Sequence, residues 1–182
     1  MRDALDELRR LAPPPANPVH ADGSWAAFEA ELATSFPRDF KRYIAAYGDG
    51  EWGGFLVPVN PLAFANPKDY RSWMEIYLQA DREARTNCPD EYAGPIYPEV
   101  GGRIPWAQTG NGDVLWWETK ESPDSWSIIA WETRGPDHEY FDLSTTEFLY
   151  DWLTGRIKVR VMTDHFLKEA GPVFRPFPAV PA

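Results

Sequence analysis

The run from Ile104 to Leu153 constrains the fold more than any other part of the chain, because it predicts a four-strand antiparallel meander closed by one helix. Aromatic and β-branched residues suit a pleated surface, and turn residues separate the apolar segments that carry them. The predicted strands are Ile104–Gln108, Val114–Trp117, Trp126–Trp131 and Glu139–Leu143. Strands that follow one another through short turns usually pair, so this run predicts one sheet.

The clearest hairpin signal is Gly110-Asn111-Gly112-Asp113. An Asn-Gly pair tolerates positive φ at both central positions of a tight two-residue turn, as the twist of a hairpin requires. Directly after it, Val114 to Trp117 gives four apolar residues in succession. A strand without alternation has both faces covered, so we expect this one in the interior of the sheet.

A capping box, Ser144-Thr145-Thr146-Glu147, begins the closing helix. The Ser144 hydroxyl can accept from the Glu147 amide, while the Glu147 carboxylate accepts from the Ser144 amide. Gly155 supplies the left-handed stop. The pattern predicts a helix over 144–154 that buries Trp152. Its apolar face consists of Phe148, Leu149, Trp152 and Leu153.

The remaining segments predict further helices around this sheet. The spacing of apolar residues predicts helices over Arg2–Leu11, from Ser24, from Pro37 and over Asn66–Arg85, with a short one over Thr163–Ala170. Trp52–Val57 predicts a strand whose two glycines indicate a bulge or a close approach. Ile157–Val161 predicts a strand or an extended tail, and the Pro-rich Gly171–Ala182 predicts irregular structure over the surface or a free end.

Together these segments predict an α+β fold with a mainly antiparallel sheet flanked by helices. We divide the chain into an N-terminal helix with a Pro-rich spacer (1–23), a central domain (24–155) and a C-terminal strand or Pro-rich tail (156–182). The central part contains the whole meander and its closing helix.

The charge balance excludes one class of ligand. The formal net charge is −10 at pH 7, which repels phosphate backbones and favours a basic partner. The single cysteine, Cys88, rules out a disulfide within the chain, and neither a signal-peptide core nor a long apolar span is present. We therefore expect a cytoplasmic protein that binds neither nucleic acid nor membrane.

Catalytic signatures are missing from the sequence. It contains no P-loop, dinucleotide fingerprint, zinc-protease motif or nucleophile elbow, so we expect no enzymatic activity and no cofactor. Asp137-His138-Glu139 resembles a metal-ligand cluster, but adjacent residues in a turn rarely converge on one ion. We therefore expect no metal, and a metal-dependent hydrolase remains the third alternative.

Four pieces in a fixed order resemble a known family. They are Phe36–Lys41 with Tyr47-Gly48, the strand Gly54–Val57, Ile104–Ala107 with its Gly-Asn-Gly-Asp turn, and Phe148-Leu149. Together they resemble the SUKH family, the Smi/Knr-like proteins, although Phe36 stands where that family usually has Leu. The resemblance implies an α+β domain and a non-enzymatic binding protein. Bacterial members resemble immunity proteins that neutralise polymorphic toxins, many of them nucleases, and fungal relatives resemble regulators of cell-wall synthesis.

Function therefore has two leading alternatives: an immunity protein that binds a basic toxin domain, or an intracellular scaffold or regulator with several partners. For the immunity protein, we expect an acidic rim around one aromatic side chain. The candidate partner-binding residues are Asp49, Glu51, Trp52, Asp113 and Glu118. Acidic groups steer encounter with a basic protein, and a desolvated aromatic anchors it.

The tryptophans of the meander supply a second candidate anchor. Most of Trp106, Trp116, Trp117, Trp126 and Trp131 should lie in the core. Because side chains alternate along a strand, Trp116 and Trp117 point to opposite faces, and one of them is expected outside the helix-covered face.

Overall fold

A seven-stranded antiparallel sheet organises the chain in the computed structural model, which describes residues 3–120, 122–132, 134–162 and 165–178. The strands are β1 Gly50–Trp52, β2 Leu56–Pro58, β3 Arg103–Thr109, β4 Val114–Glu118, β5 Ser127–Trp131, β6 His138–Phe141 and β7 Phe174–Pro176. They lie in the order β6-β5-β4-β3-β2-β1-β7. The predicted meander is confirmed as β3 to β6, with β4 in the interior and its Val114–Trp117 part buried.

Six α-helices flank this sheet in the described ranges. They are α1 Ala4–Leu11, α2 Ala26–Leu32, α3 Arg38–Tyr47, α4 Pro67–Asn87, α5 Thr145–Leu153 and α6 His165–Ala170. The α+β prediction is therefore confirmed. No helix in the described ranges is both long and apolar enough to cross a membrane.

The two hairpin turns on either side of the β2–β3 pair differ from the prediction in the position of their positive-φ residues. At the β3–β4 hairpin only Gly112 has positive φ, at 89°, and the Gly112 amide donates to the Thr109 carbonyl at 3.0 Å. This is a three-residue loop, so the predicted two-residue turn with positive φ at Asn111 is wrong. The two-residue form occurs instead at Gly53 and Gly54, with φ of 60° and 70°. These glycines end β1 and begin a hairpin to β2, so the predicted single strand is also wrong.

Each face of the sheet has its own helical cover. On one face, Trp106 and Trp117 stack at 5.8 Å, and Phe40 of α3 contacts Trp117 at 4.9 Å. The Trp117 indole N–H donates to Thr145 Oγ1 of α5 at 3.0 Å. On the other face, the C-terminal half of α4 covers Trp116. Trp116 and Trp117 do point to opposite faces, but both are buried, so the expectation that one of them lies exposed is wrong.

The helix α5 has the predicted ends. The Ser144 amide donates to Glu147 Oε2 at 2.9 Å as part of a capping box, and Gly155 follows the helix with φ of 71°. Trp152 is buried, with 2% of its surface exposed, as predicted. The predicted N-terminal helix is also confirmed, because α1 packs on α3 and α5 through the fully buried Leu5 and Leu8.

The chain after α5 departs from the prediction. Ile157–Val161 forms neither a strand nor an extended tail, because Val159 and Met162 are buried and the Arg160 amide donates to Glu139 Oε2 of β6 at 2.5 Å. The prediction of irregular structure after Gly171 is wrong at β7, which pairs with β1; residues 179–182 lie outside the described ranges. A short helix is confirmed at α6, although 163–164 are likewise outside them.

Close packing explains why β7 pairs with β1 at the edge of the sheet. Phe174 lies against Tyr47 at 5.0 Å and against Trp52 at 5.1 Å. The glycine that permits the approach is Gly50, since a Cβ there would lie 2.4 Å from the Arg175 carbonyl oxygen. The C-terminal segment therefore completes the sheet beside β1.

Candidate partner-binding surface

Three hairpin turns lie side by side at one end of the sheet. They follow β1, β3 and β5, which run in the same direction because each is separated from the next by an antiparallel strand. The Gly110 amide of the second turn donates to the Phe55 carbonyl of the first at 2.8 Å. Side chains from all three turns therefore converge at this end of the fold.

The predicted aromatic anchor does not lie on this surface. Trp52 is fully buried, and its indole N–H donates to the Tyr43 hydroxyl at 2.9 Å. It packs against Phe174 and Tyr47 inside the core. The expectation that Trp52 is an exposed anchor is therefore wrong. Its side chain is enclosed between β7 and α3.

The acidic residues beside Trp52 have basic side chains nearby. The Asp49 carboxylate lies 2.8 Å from His20 Nδ1 and accepts a hydrogen bond when that nitrogen carries the proton. Glu51 lies opposite Arg175 in the β1–β7 register and is half-buried. Both acids therefore lie against other segments of the chain, Asp49 against His20 and Glu51 against β7.

Asp113 is a structural residue of the β3–β4 hairpin. It is 8% exposed, its amide donates to Thr109 Oγ1 at 3.0 Å, and its carboxylate accepts from the same hydroxyl at 3.3 Å. Asp side chains in turns commonly hold the turn in this way. One edge of Asp113 still lines a polar cleft described below.

Glu118 lies at the opposite end of β4, where it accepts from Ser127 Oγ at 3.2 Å. Five residues along a strand separate it from Asp113 by roughly 16 Å. The strands β2 and β3 lie between Glu51 and Asp113, which separates them by roughly 14 Å. The five predicted residues thus do not converge on one rim.

A polar cleft of about 580 Å³ opens between the β3–β4 and β5–β6 turns, and we call it the turn cleft. Its lining includes the carboxylates of Asp113, Glu132 and Asp137 and the guanidinium groups of Arg134 and Arg160. Arg160 also lies 3.5 Å from Glu139. The cleft therefore offers both signs of charge, with acidic groups in excess.

Beside it lies a smaller void of about 110 Å³, which we call the aromatic pocket. It forms between α4, the loop after α4 and the sheet face that carries Trp116. Four rings line it: Tyr77, Tyr92, Trp116 and Trp131. Tyr92 stacks on Trp131 at 5.8 Å, and Tyr77 meets Trp116 edge to face at 6.4 Å.

Two carboxylates border these rings. Asp81 is buried and holds Arg103 through two hydrogen bonds, one from Arg103 Nε to Asp81 Oδ2 at 2.6 Å and one from Arg103 Nη2. Glu132 lines both the aromatic pocket and the turn cleft, and the described part of the chain supplies no ion-pair partner for it. The charges of Asp81 and Arg103 cancel. The carboxylate of Glu132 therefore gives the edge of the pocket a net negative charge.

The rings already hold one cation. The Arg103 guanidinium lies over the Trp131 ring at 4.2 Å from its centroid and over Trp116 at 6.0 Å. Planar guanidinium groups stack on aromatic faces because the ring quadrupole attracts the charge. Arg103 and His138, which stacks on Trp131 at 4.6 Å, already pack on this ring, so the rings of Tyr77 and Tyr92 are the ones left to receive a further group in the pocket.

Electrostatics at the pocket mouth are acidic. Burial raises the pKa of the Tyr92 hydroxyl, and the nearby carboxylates of Glu91, Asp81 and Glu132 raise this pKa further. A negative field raises a phenol's pKa because it disfavours the phenolate. Acidic side chains, those of Glu91, Asp81 and Glu132, therefore lie near the Tyr92 hydroxyl at this mouth.

Sequence reasoning missed the loop residue Tyr92 and the pocket acid Glu132. One signal was present, because Asp81 falls on the otherwise apolar stripe of α4 and a buried carboxylate requires a partner. That signal predicts a buried cation facing α4, although the sequence does not say that Arg103 supplies it.

Other chemistry is sparse in the described ranges. No three His, Cys, Asp or Glu side chains there are grouped as metal ligands, and Cys88 is exposed at the end of α4. The Pro136 carbonyl oxygen lies 2.8 Å from His138 Nδ1 and accepts a hydrogen bond when that nitrogen carries the proton, and the imidazole stacks on Trp131. It therefore takes part in the turn between β5 and β6.

Comparison with protein families gives a match that covers most of the chain. A family model described as SUKH_6, SMI1-KNR4 cell-wall, matches residues 22–149, well over half of the chain. No curated protein and no solved structure matches this chain. The matched part runs from just before α2 into α5 and contains the turn cleft's hairpins and the aromatic pocket.

Proposed function

Because the chain belongs to the SUKH_6 family of SMI1-KNR4 cell-wall proteins, we propose that it is a non-enzymatic binding protein that neutralises a basic toxin domain by covering it. This membership confirms the resemblance found in the motifs. The family assignment is the observation that carries the proposal, and it supports a binding role of the immunity or the Smi/Knr type. We propose further that the partner is a toxin domain, such as a nuclease, and that the two proteins meet in the cytoplasm.

The charge distribution supports a basic partner. The net charge of −10 attracts a cationic protein over a distance of about one Debye length, roughly 8 Å at physiological ionic strength. Acidic excess at the turn cleft and a negative border at the aromatic pocket lie on neighbouring parts of one end of the sheet. A basic active site covered by such a surface loses access to its anionic substrate.

A regulator of the Smi/Knr type is the second candidate, because the matching family model carries the cell-wall description. The two roles differ in their partners. An immunity protein binds one toxin tightly, whereas a scaffold recruits several proteins with lower affinity.

We expect co-expression of this protein to protect bacterial cells from the C-terminal toxin domain encoded by a neighbouring gene. The measurement is growth after toxin induction, followed by isolation of the complex by size-exclusion chromatography. A matched control is a toxin domain of the same class from an unrelated locus, against which no protection is expected. Growth arrest in both cases, with no complex, contradicts the immunity role and favours the regulator.

Charge steering gives a second expected result in the same complex. Replacing the half-buried acids Glu51 and Glu118 together by Gln should slow association and flatten its salt dependence, because steering acts mainly on the association rate. Surface plasmon resonance at low and high salt measures both. Both side chains are only half-buried, and Glu118→Gln keeps an oxygen that can accept from Ser127 Oγ, so circular dichroism should be unchanged. An association rate equal to that of the wild type at low salt contradicts steering from these positions.

A further inference from the structure

We propose that the aromatic pocket binds the guanidinium group of an arginine side chain presented by the partner protein. The inference rests on the proposed function for the source of that arginine, but the recognition chemistry belongs to this chain alone. It assigns a specificity-determining contact to Tyr77, Tyr92, Trp116 and Glu132.

The size of the pocket fits such a group. The void measures about 110 Å³, while a dry cavity of about 150 Å³ accepts benzene. A guanidinium has fewer heavy atoms than benzene and the same flat shape. A bulky aromatic anchor from the partner would overfill this space.

The walls fit it as well. Tyr77 and Tyr92 are half-buried and close two sides, and Trp116 and Trp131 lie behind them. Rings that meet a cation through their faces stabilise it most when water is excluded. The position of Arg103 over Trp131 shows that this ring set accepts a guanidinium in the folded protein.

Charge selects a cation over an apolar group. Glu132 borders the void without an ion-pair partner among the described residues, whereas the carboxylate of Asp81 in the same lining is paired with Arg103. The cations of α4 near this end are already engaged, Arg82 by Glu75 and Arg85 by Glu99 at 2.8 Å. An incoming arginine therefore gains the one carboxylate that the pocket leaves uncompensated.

Arginine is favoured over lysine for a physical reason. The guanidinium is planar and weakly hydrated, so it leaves water and stacks at lower cost than the compact, strongly hydrated ammonium. Its fork of N–H donors can also reach the Glu132 carboxylate while its plane lies on a tyrosine ring.

The first test uses small probes and needs no toxin. N-acetyl-argininamide is titrated into the full chain, in parallel with its neutral citrulline and its lysine counterparts, and the indole N–H signals of Trp116 and Trp131 are followed by NMR. We expect the arginine probe to shift these signals at concentrations about tenfold below the other two. Equal shifts by citrulline show that the pocket does not recognise the positive charge and overturn the proposal, and equal or tighter binding of the lysine probe overturns its choice of arginine.

Variants locate the binding. Tyr92→Leu and Glu132→Gln should each weaken the arginine probe by about tenfold or more. Both positions are half-buried and outside the core, so the variants should fold. The charge-matched control is Glu31→Gln, on the exposed side of α2 and away from the pocket, which should leave binding unchanged. Unaltered binding in both pocket variants overturns the proposal.

A second arm separates this inference from the proposed function. If the toxin domain binds the wild type, Tyr92→Leu and Glu132→Gln should speed dissociation by about tenfold, and Glu31→Gln should not. Normal toxin binding by both variants overturns the pocket's role and leaves the immunity function standing. An arginine probe that binds, with no toxin bound by the wild type, leaves the pocket chemistry standing and overturns the immunity function.

Discussion

Truncating Trp152 to alanine is expected to lower the free energy of unfolding by about 3–5 kcal/mol. The ring is 98% buried, given its 2% exposure, on the helix α5 that packs on α1 and α3. Removing it takes away a large apolar surface and leaves a cavity that rigid neighbours cannot fill. Urea titration followed by circular dichroism measures the change, and a loss near zero contradicts the placement of α5 against the core.

A matched variant separates packing from polarity at this position. The Trp152 indole N–H is buried and has no hydrogen-bond partner within the described part of the chain. Trp152→Phe removes that donor and keeps much of the ring, so we expect a loss below about 2 kcal/mol, well short of that for alanine. Equal losses in the two variants show that volume is not what stabilises this site. Because domains of this size are stable by only about 5–15 kcal/mol, the alanine variant approaches the limit of foldability.

The meander and α5 were predictable because their signals are local. The capping box at Ser144 and the stop at Gly155 lie within a few residues of the backbone that they organise. The four apolar residues from Val114 require cover on both faces wherever the strand lies. Tertiary structure did not have to override any of these preferences.

The edge of the sheet was not predictable in the same way. The strand β7 is three residues long and pairs with β1, more than a hundred residues earlier in the chain. Nothing near Phe174 signals that pairing, since the partner groove is built by Tyr47, Trp52 and Gly50. A short strand whose stability comes from distant rings has no periodicity to detect.

The same reason explains the outcome for the predicted binding residues. Asp49, Glu51 and Trp52 are adjacent in sequence, but pairing with β7 encloses Trp52 and places Arg175 opposite Glu51. The aromatic pocket instead joins Tyr77 of α4, Tyr92 of the following loop and Trp131 of β5. These three side chains meet only because α4 packs across this face of the sheet. The direction in which α4 packs could not be predicted from one sequence.

Asp81 connects the stability of the fold to the shape of this pocket. Its carboxylate holds Arg103 of β3, which lies on Trp131, whose ring is stacked by Tyr92. The side chains of the ion pair are only 7% and 5% exposed. An ion pair so deeply buried gives little net stability, but each member is required by the other.

Asp81→Ala is therefore expected to lower the free energy of unfolding by about 3–5 kcal/mol, because it leaves the Arg103 guanidinium buried without a counter-charge. Glu75→Ala on the same helix provides the matched control. Its carboxylate is 42% exposed beside Arg82 and Arg71, so its loss should cost about 1 kcal/mol or less. Urea titration of the two variants measures the difference, and similar small losses in both contradict a buried role for Asp81.

Replacing both partners tests whether the fold requires the ion pair itself or only that neither charge is buried alone. Asp81→Leu combined with Arg103→Met removes both charges and fills the space with apolar atoms, so we expect stability within about 1 kcal/mol of the wild type, or above it. The arginine probe should then distinguish the pair's second role. If Arg103 serves only stability, the double variant binds N-acetyl-argininamide as the wild type does, because Glu132 and the four rings are retained. Weaker binding, with stability unchanged, shows instead that the pair holds Trp131 and Tyr92 in the arrangement that receives the cation.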